Sequence, residues 1–229
     1  KKMLIFLETL ETEEEKTSFE ELYQGTRALP LEQYIPRDGR FWVAKAASIK
    51  SELFSVTDIQ SVMKKAMVDR LGREYGVRTF EEDGAAYPIR VFIKKNIVTV
   101  GLDTSGETLH KRGYRKLTSK APIAENLAAG LIMLTPWKGD RILIDPFCGS
   151  GTFPIEAAMM AANIAPGINR DFAATRWTNF IPASLWREAR EEAREEEDRG
   201  VKTEILGYDI DPEMVKISRE NARLAGVDH

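Results

Sequence analysis

Asp145, Pro146, Phe147, Cys148, Gly149, Ser150, Gly151 and Thr152 follow the aliphatic run Ile142 to Ile144 and precede an apolar helical pattern. A glycine-rich turn between strand and helix brings backbone amides close to a ligand at the helix N-terminus. Three ligand classes compete for such a turn. A triphosphate loop has the form G-x-x-x-x-G-K-[ST], whose lysine reaches phosphate oxygens, and no lysine stands near Gly149 or Gly151. The dinucleotide fingerprint requires a third glycine where Pro154 stands, and Asp145 would repel a pyrophosphate. S-adenosylmethionine presents an ammonium, a carboxylate and a sulfonium, and its chemistry suits the stretch better. Asp145 faces the amine, the loop Gly149-Ser150-Gly151 lets the backbone approach, and the helix end favours the carboxylate.

A ligand spanning the switch point of an open parallel sheet needs an acid at the end of the next strand, for its ribose hydroxyls. Asp209 supplies it within Gly207-Tyr208-Asp209-Ile210-Asp211. Ile210 is placed to cover one face of the adenine, while Asp211 reads as a helix cap. An ordinary tight turn would leave Asp145 and Asp209 unexplained at two neighbouring strand ends.

These residues depend on the elements around them. Ile142 to Ile144 read as a short buried strand, Thr152 to Asn163 as a helix, and Thr203 to Tyr208 as the second strand. A helix then starts at Asp211-Pro212 and ends near Gly226. Strand and helix alternating in this way imply parallel pairing with right-handed crossovers. Upstream, Ser119 caps a helix with Pro122 in its first turn and Ile123, Leu127, Leu131 and Leu134 on one face. An insertion, Ile164 to Lys202, carries a charged helix, with Trp177, Phe180 and Trp186 as anchors to the body of the protein.

The first half has different grammar. Thr17 or Ser18 caps a short helix carrying Phe19, Leu22 and Tyr23, Phe41 to Ile49 reads as a strand, and a helix runs from Ser55 or Thr57 to Gly76 with a Met63/Met67 stripe of core type. Two β-branched runs around Lys94, Lys95 and Asn96 signal a hairpin. The domain boundary is expected near Gly113.

Composition narrows the function classes. The 229 residues carry a net charge of −3, yet residues 34–120 hold 17 Lys+Arg against 10 Asp+Glu, so polyanion contact belongs to the first half. Lys94, Lys95, His110, Lys111, Arg112, Arg115, Lys116 and Lys120 form the densest basic set. It is either an RNA surface, an idle solvated face, or, for Arg112 and Arg115, a lock between domains. A single cysteine excludes an internal disulfide and suits a reducing cytoplasm. Cys148 has no histidine beside it in the sequence to act as a base, so it reads as a packed loop residue rather than a nucleophile. With two histidines and no ligand-spaced carboxylates no metal site is expected, and no apolar run is long enough for a membrane helix.

Four blocks resemble the THUMP-domain RNA methyltransferases, close to the bacterial 23S ribosomal RNA guanine-N2 type: GETLHKRGYR (106–115), APIAENLAAGL (121–131), DPFCGSGTFPIEAAMMAANIAPG (145–167) and GYDIDPEMV with ARLAGV (within 207–227). The resemblance implies an α/β chain in two parts. A THUMP module with a ferredoxin-like α+β portion (1–113) captures RNA, and an incomplete Rossmann-like methyltransferase domain (114–229) binds the donor. It implies donor contacts at Asp145, Cys148, Gly149, Gly151 and Asp209, with Ala121 and Pro122 at the methionine end. The family's catalytic signature, an Asn- or Asp-Pro-Pro-Tyr turn that grips a base amine, occurs nowhere in these residues. The catalytic residues are therefore unassigned, and the expectation is a C-terminally truncated enzyme, inactive by itself. Two alternatives remain open: a DNA adenine-N6 methyltransferase, and a non-enzymatic RNA-binding module with a residual donor pocket.

Overall fold

The computed structural model describes residues 4–10, 18–116 and 122–228, with side chains for 18–116 and 122–228. Two compact units emerge: an N-terminal unit of Lys2–Gly106 with Phe172–Ala183, and a C-terminal unit of Glu107–Asp171 with Ser184–His229. The first segment of the N-terminal unit ends at Gly106, and part of the insertion returns to that unit. Trp177 explains that return. Its ring is fully buried, stacks on Tyr87 with centroids 5.1 Å apart, and donates its indole N–H to the Ala86 carbonyl at 2.9 Å. Asn179 accepts from the Tyr87 hydroxyl and donates to the Tyr34 carbonyl, both at 2.8 Å, and Phe180 meets Tyr34 edge-on. Trp177 and Phe180 are therefore anchors, but to the N-terminal unit.

In the N-terminal unit β1 (Leu4–Leu10), β4 (Ile97–Asp103), β3 (Ala86–Lys94) and β2 (Arg40–Ile49) lie in that order; β2 and β3 are parallel and the other pairs antiparallel. The sequence reading holds no counterpart of β1, because acids follow its short apolar run. Helix α1 (Phe19–Ala28) starts at Ser18 in a capping box with Glu21, and α2 (Val56–Tyr75) runs from the Ser55 cap to Gly76 in the left-handed region. Leu22, Ile59, Met63, Met67 and Leu71 from the helices are buried, as are Phe41, Ile89, Val91 and Val100 from the sheet. The β3–β4 turn is Lys95-Asn96, with φ of 50° and 65°, the mirror-image turn that matches strand twist.

In the C-terminal unit β5 (Leu143–Asp145) pairs in parallel with β6 (Ile205–Gly207), each followed by a helix: α4 (Thr152–Ala161) and α6 (Pro212–Ala225). β5 is shifted by one residue from the expected Ile142 to Ile144, and β6 is shorter than the expected Thr203 to Tyr208. Ile144, expected to be buried, is 57% exposed, since no described residue covers its face of the two-stranded sheet. Helix α3 (Glu125–Met133) begins at Ala124 without a side-chain cap; Ser119 lies outside the described residues. Its expected inner face is reversed. Leu127, Leu131 and Leu134 point outward while Glu125, Ala128 and Ile132 are buried, because Glu125 is drawn inside by Arg115 at 3.5 Å. The charged helix α5 (Ala183–Glu195) buries no residue and is tied down by Arg190, which donates to the carbonyls of Ile168 and Arg170. Trp186 is half-buried.

Candidate functional site

The ends of β5 and β6 gather Asp145, Cys148, Gly149, Ser150, Gly151, Asp209 and Ile210. The ladder continues beyond the strands: the Tyr208 N–H donates to the Asp145 carbonyl and the Cys148 N–H to the Tyr208 carbonyl, both at 2.8 Å. This clasp fixes the loop against the second strand end. Asp145 turns one carboxylate oxygen onto the Phe147 N–H at 3.1 Å. Asp209 accepts from the Gly149 N–H and the Asp211 N–H, both at 2.9 Å, so its carboxylate joins the two strand ends. Asp211 caps α6, accepting from the Glu213 N–H at 2.8 Å. Ile210 is fully exposed beside it.

The glycines have separate reasons. Gly149 and Gly151 sit at φ 53° and 85°, where a side chain is strained. A Cβ at Gly149 would meet nothing within 4 Å, so the loop presents bare backbone to open space there, whereas at Gly151 it would overlap Ser218 Oγ. No side chain caps α4 at Gly151. Its first amides and the positive end of its dipole are therefore suited to an anionic ligand group. Asn221, fully buried, donates from Nδ2 to the Ser150 carbonyl at 3.0 Å and holds the loop from below.

Cys148 is 8% exposed. Burial first, and then the negative charge of Asp145, push its thiol up, which keeps it protonated and suits the packing role. At Gly207 a Cβ would approach Cys148 Sγ to 3.2 Å, so a small strand end is required there.

The basic set divides. Lys94, Lys95, Lys111 and Lys116 are exposed, with Lys111 paired to Glu107 at 2.9 Å. Arg112 and Arg115 depart from the expectation of phosphate contact, since both guanidiniums turn inward within the C-terminal unit. Arg112 meets Glu156 at 3.3 Å, and the buried Tyr114 hydroxyl donates to the same carboxylate at 3.1 Å. Burial pushes the Glu156 carboxyl up, opposed by Arg112 and Tyr114. Arg115 donates to the Ile123 carbonyl and to Thr152 Oγ1, both at 2.9 Å. One side chain thereby ties the segment after Pro122 to the first residue of α4, next to the glycine loop. Ala121 lies outside the described residues.

Sequence reasoning missed Arg115, Asn221, Ser218 and Tyr208 as members of this site. Asn221 left a trace, a polar residue at a buried phase of an amphipathic helix. Tyr208 acts through its backbone, which leaves none. Among the described residues no group of three or more His, Cys, Asp or Glu could hold a metal ion, and no helix is long and apolar enough to cross a membrane.

A parallel β-α-β unit with a glycine turn at one strand end and an acid at the next is the ligand-binding arrangement of a Rossmann-like fold. Comparisons agree: residues 112–229 match UPF0020, the RMKL-like methyltransferase domain, and residues 16–103 match the THUMP domain. The chain belongs to this THUMP-bearing UPF0020 family. It is 45% identical over 212 residues to YpsC of Bacillus subtilis, covering 92% of the chain and 54% of that protein. It is 37% identical over 228 residues to the ribosomal RNA large subunit methyltransferase K/L of Cellvibrio japonicus, covering 94% of the chain and 30% of that protein. The solved structure of SMU.472 complexed with SAH superposes with a TM-score of 0.89 at 41% identity, over 99% of this chain and 59% of that one. The chain thus spans well under two thirds of these relatives.

Proposed function

We propose that this chain supplies donor binding and RNA capture to an S-adenosylmethionine-dependent methyltransferase acting on the exocyclic amine of a base, guanine N2 of 23S ribosomal RNA. The observation that carries the donor reading is the Asp209 carboxylate held at 2.9 Å from the Gly149 amide, which sets a ribose-binding acid beside a bare glycine turn. Asp209 and Asp145 then receive the ribose hydroxyls and the amine, Gly149, Ser150 and Gly151 approach through backbone, Cys148 packs beneath, and Ile210, Pro122 and Ala121 flank the ligand. The donor supplies an electrophilic methyl group on a sulfonium. A relative complexed with SAH, the product such a donor leaves, supports this choice.

The RNA reading rests on the THUMP domain and on the ribosomal RNA methyltransferase among the relatives. No Asn- or Asp-Pro-Pro-Tyr turn occurs in the sequence, so these residues alone have no group to orient the attacking amine, and they transfer no methyl group. Calorimetry with S-adenosylmethionine on the wild type and Asp209→Ala tests the site. The expected loss is about 1–3 kcal/mol, from unpaired ribose hydroxyls; equal affinities remove Asp209 from it. Mass spectrometry of ribosomal RNA from cells lacking the gene tests the substrate, and an unchanged methylation pattern rejects it.

A further inference from the structure

The outward face of the N-terminal sheet has a composition that the donor site does not use. Along β2, β3 and β4 the inward positions are core residues such as Phe41, Ile89 and Val100, and the alternate positions carry Arg40, Trp42, Lys45, Arg90, Phe92, Lys94 and Thr99. Register brings Lys45 beside Arg90 and Ala47 beside Phe92 on one side, with Phe92 beside Thr99 and Arg90 beside Gly101 on the other. Phe92 is therefore a large ring between small neighbours, 41% exposed, above a groove of about 290 Å³ lined by Lys45, Ala47, Arg90, Phe92, Thr99 and Gly101. Trp42, 37% exposed, lies further along the same face with the Arg40 guanidinium 5.5 Å from its ring centre. Arg90 is held in place by Asp103, 2.9 Å away and buried, so the one acid at these outward positions is already paired.

We propose that this groove is a stacking site for an unpaired nucleotide of RNA, with the base on the Phe92 ring and neighbouring phosphates on Lys45 and Lys94. The proposal rests on the RNA reading above and gives it a surface. An exposed aromatic ring among cations on a sheet accepts bases, whose faces are all π surfaces, and the phosphates that join them. A duplex keeps its base faces stacked on one another and cannot offer one to Phe92. A purely apolar peptide would leave Lys45 and Lys94 without partners.

The test uses the full chain and two fluorescein-labelled RNA probes, a mixed-sequence single strand of about 12 nucleotides and a blunt duplex of the same length, a size within the range of single-strand binding folds. The single strand binds more tightly than the duplex, and Phe92→Ala weakens it by about 5- to 100-fold, the loss of one base stack, while Phe92→Tyr retains it. Lys45→Gln and Lys94→Gln each flatten the slope of log affinity against log salt by about 0.7. The melting temperature of Phe92→Ala, an exposed site, stays within the range of other surface variants, which separates binding from folding. If the wild type binds single-stranded RNA and Phe92→Ala binds it equally well, the groove is idle and the proposal falls while the RNA reading stands. If the wild type binds neither probe, the RNA reading itself falls and the groove with it.

Discussion

Replacing Gly151 by alanine probes the loop through a geometric demand that no other residue meets. The backbone sits at φ 85°, where an alanine is strained by about 1–2 kcal/mol. The new Cβ also overlaps Ser218 Oγ and comes within 3.1 Å of Ser218 Cβ and 3.2 Å of Ile155 Cδ1, so α6 and α4 must both give way. Overpacking of this kind costs about 1 kcal/mol at its mild end. Loss of glycine's freedom in the unfolded chain returns about 0.4–1 kcal/mol. The net expectation is a destabilisation of about 2 kcal/mol, or a fall of about 4–8 °C in melting temperature for a chain of this size. Ser218→Ala removes the overlapping oxygen and leaves the φ strain untouched. The double variant should therefore recover about 1 kcal/mol relative to additivity. Urea denaturation of the four proteins of the cycle, followed by circular dichroism, measures both terms. A Gly151→Ala protein as stable as the wild type, or strict additivity with Ser218→Ala, would refute the geometry assigned to the loop.

Trp177→Ala should destabilise the N-terminal unit by about 3–5 kcal/mol. The Tyr87 phenol, which burial pushes up to about 12, should then fall toward its ordinary 10, as read by ultraviolet titration. Glu156 gives a pH signature. Its carboxyl is raised, so the folded state holds that proton more tightly than the unfolded chain. The contribution is present below the ordinary value of 4.5 and is lost as pH rises through the raised one. Urea unfolding across that window should show wild-type stability falling with pH relative to Glu156→Gln, and parallel curves would reject the shift. For RNA, Lys111→Gln with Lys116→Gln should flatten the salt slope by about 1.4–1.8. Arg112→Gln should instead lower the melting temperature and leave that slope unchanged.

Local chemistry explains which parts of the molecule could be read from the sequence. Thr17 or Ser18 ahead of Phe19, Ser55 or Thr57 with Gly76, Asp211-Pro212 with Gly226, and the turn around Lys94, Lys95 and Asn96 each carry their signal within a few residues, and the structure places the caps at Ser18, Ser55 and Asp211 and the turn at Lys95-Asn96. The placement of Asp145, Asp209 and the glycines at two neighbouring strand ends follows from equally local signals. What failed depended on partners distant in sequence. Arg115 looks like a surface cation until Glu125 and Thr152 are seen beside it, and drawing Glu125 inside reverses the face that the Leu127, Leu131 and Leu134 periodicity implied. The assignment of Phe172–Ala183 turns on Trp177 finding Tyr87 and Ala86, which nothing near Trp177 announces.

That same return of the chain limits how the gene can be cut. A stop codon or a fusion joint after Gly106 yields a polypeptide holding all four strands of the N-terminal sheet but not Trp177, and Tyr87 then faces water where a stacked ring belongs. Shuffling this module onto another protein therefore requires two segments, Lys2–Gly106 and Phe172–Ala183, spliced at two places in the recipient. Inheritance of the module as one uninterrupted block would carry a wounded core, so recombination that preserves function is expected to exchange both units together.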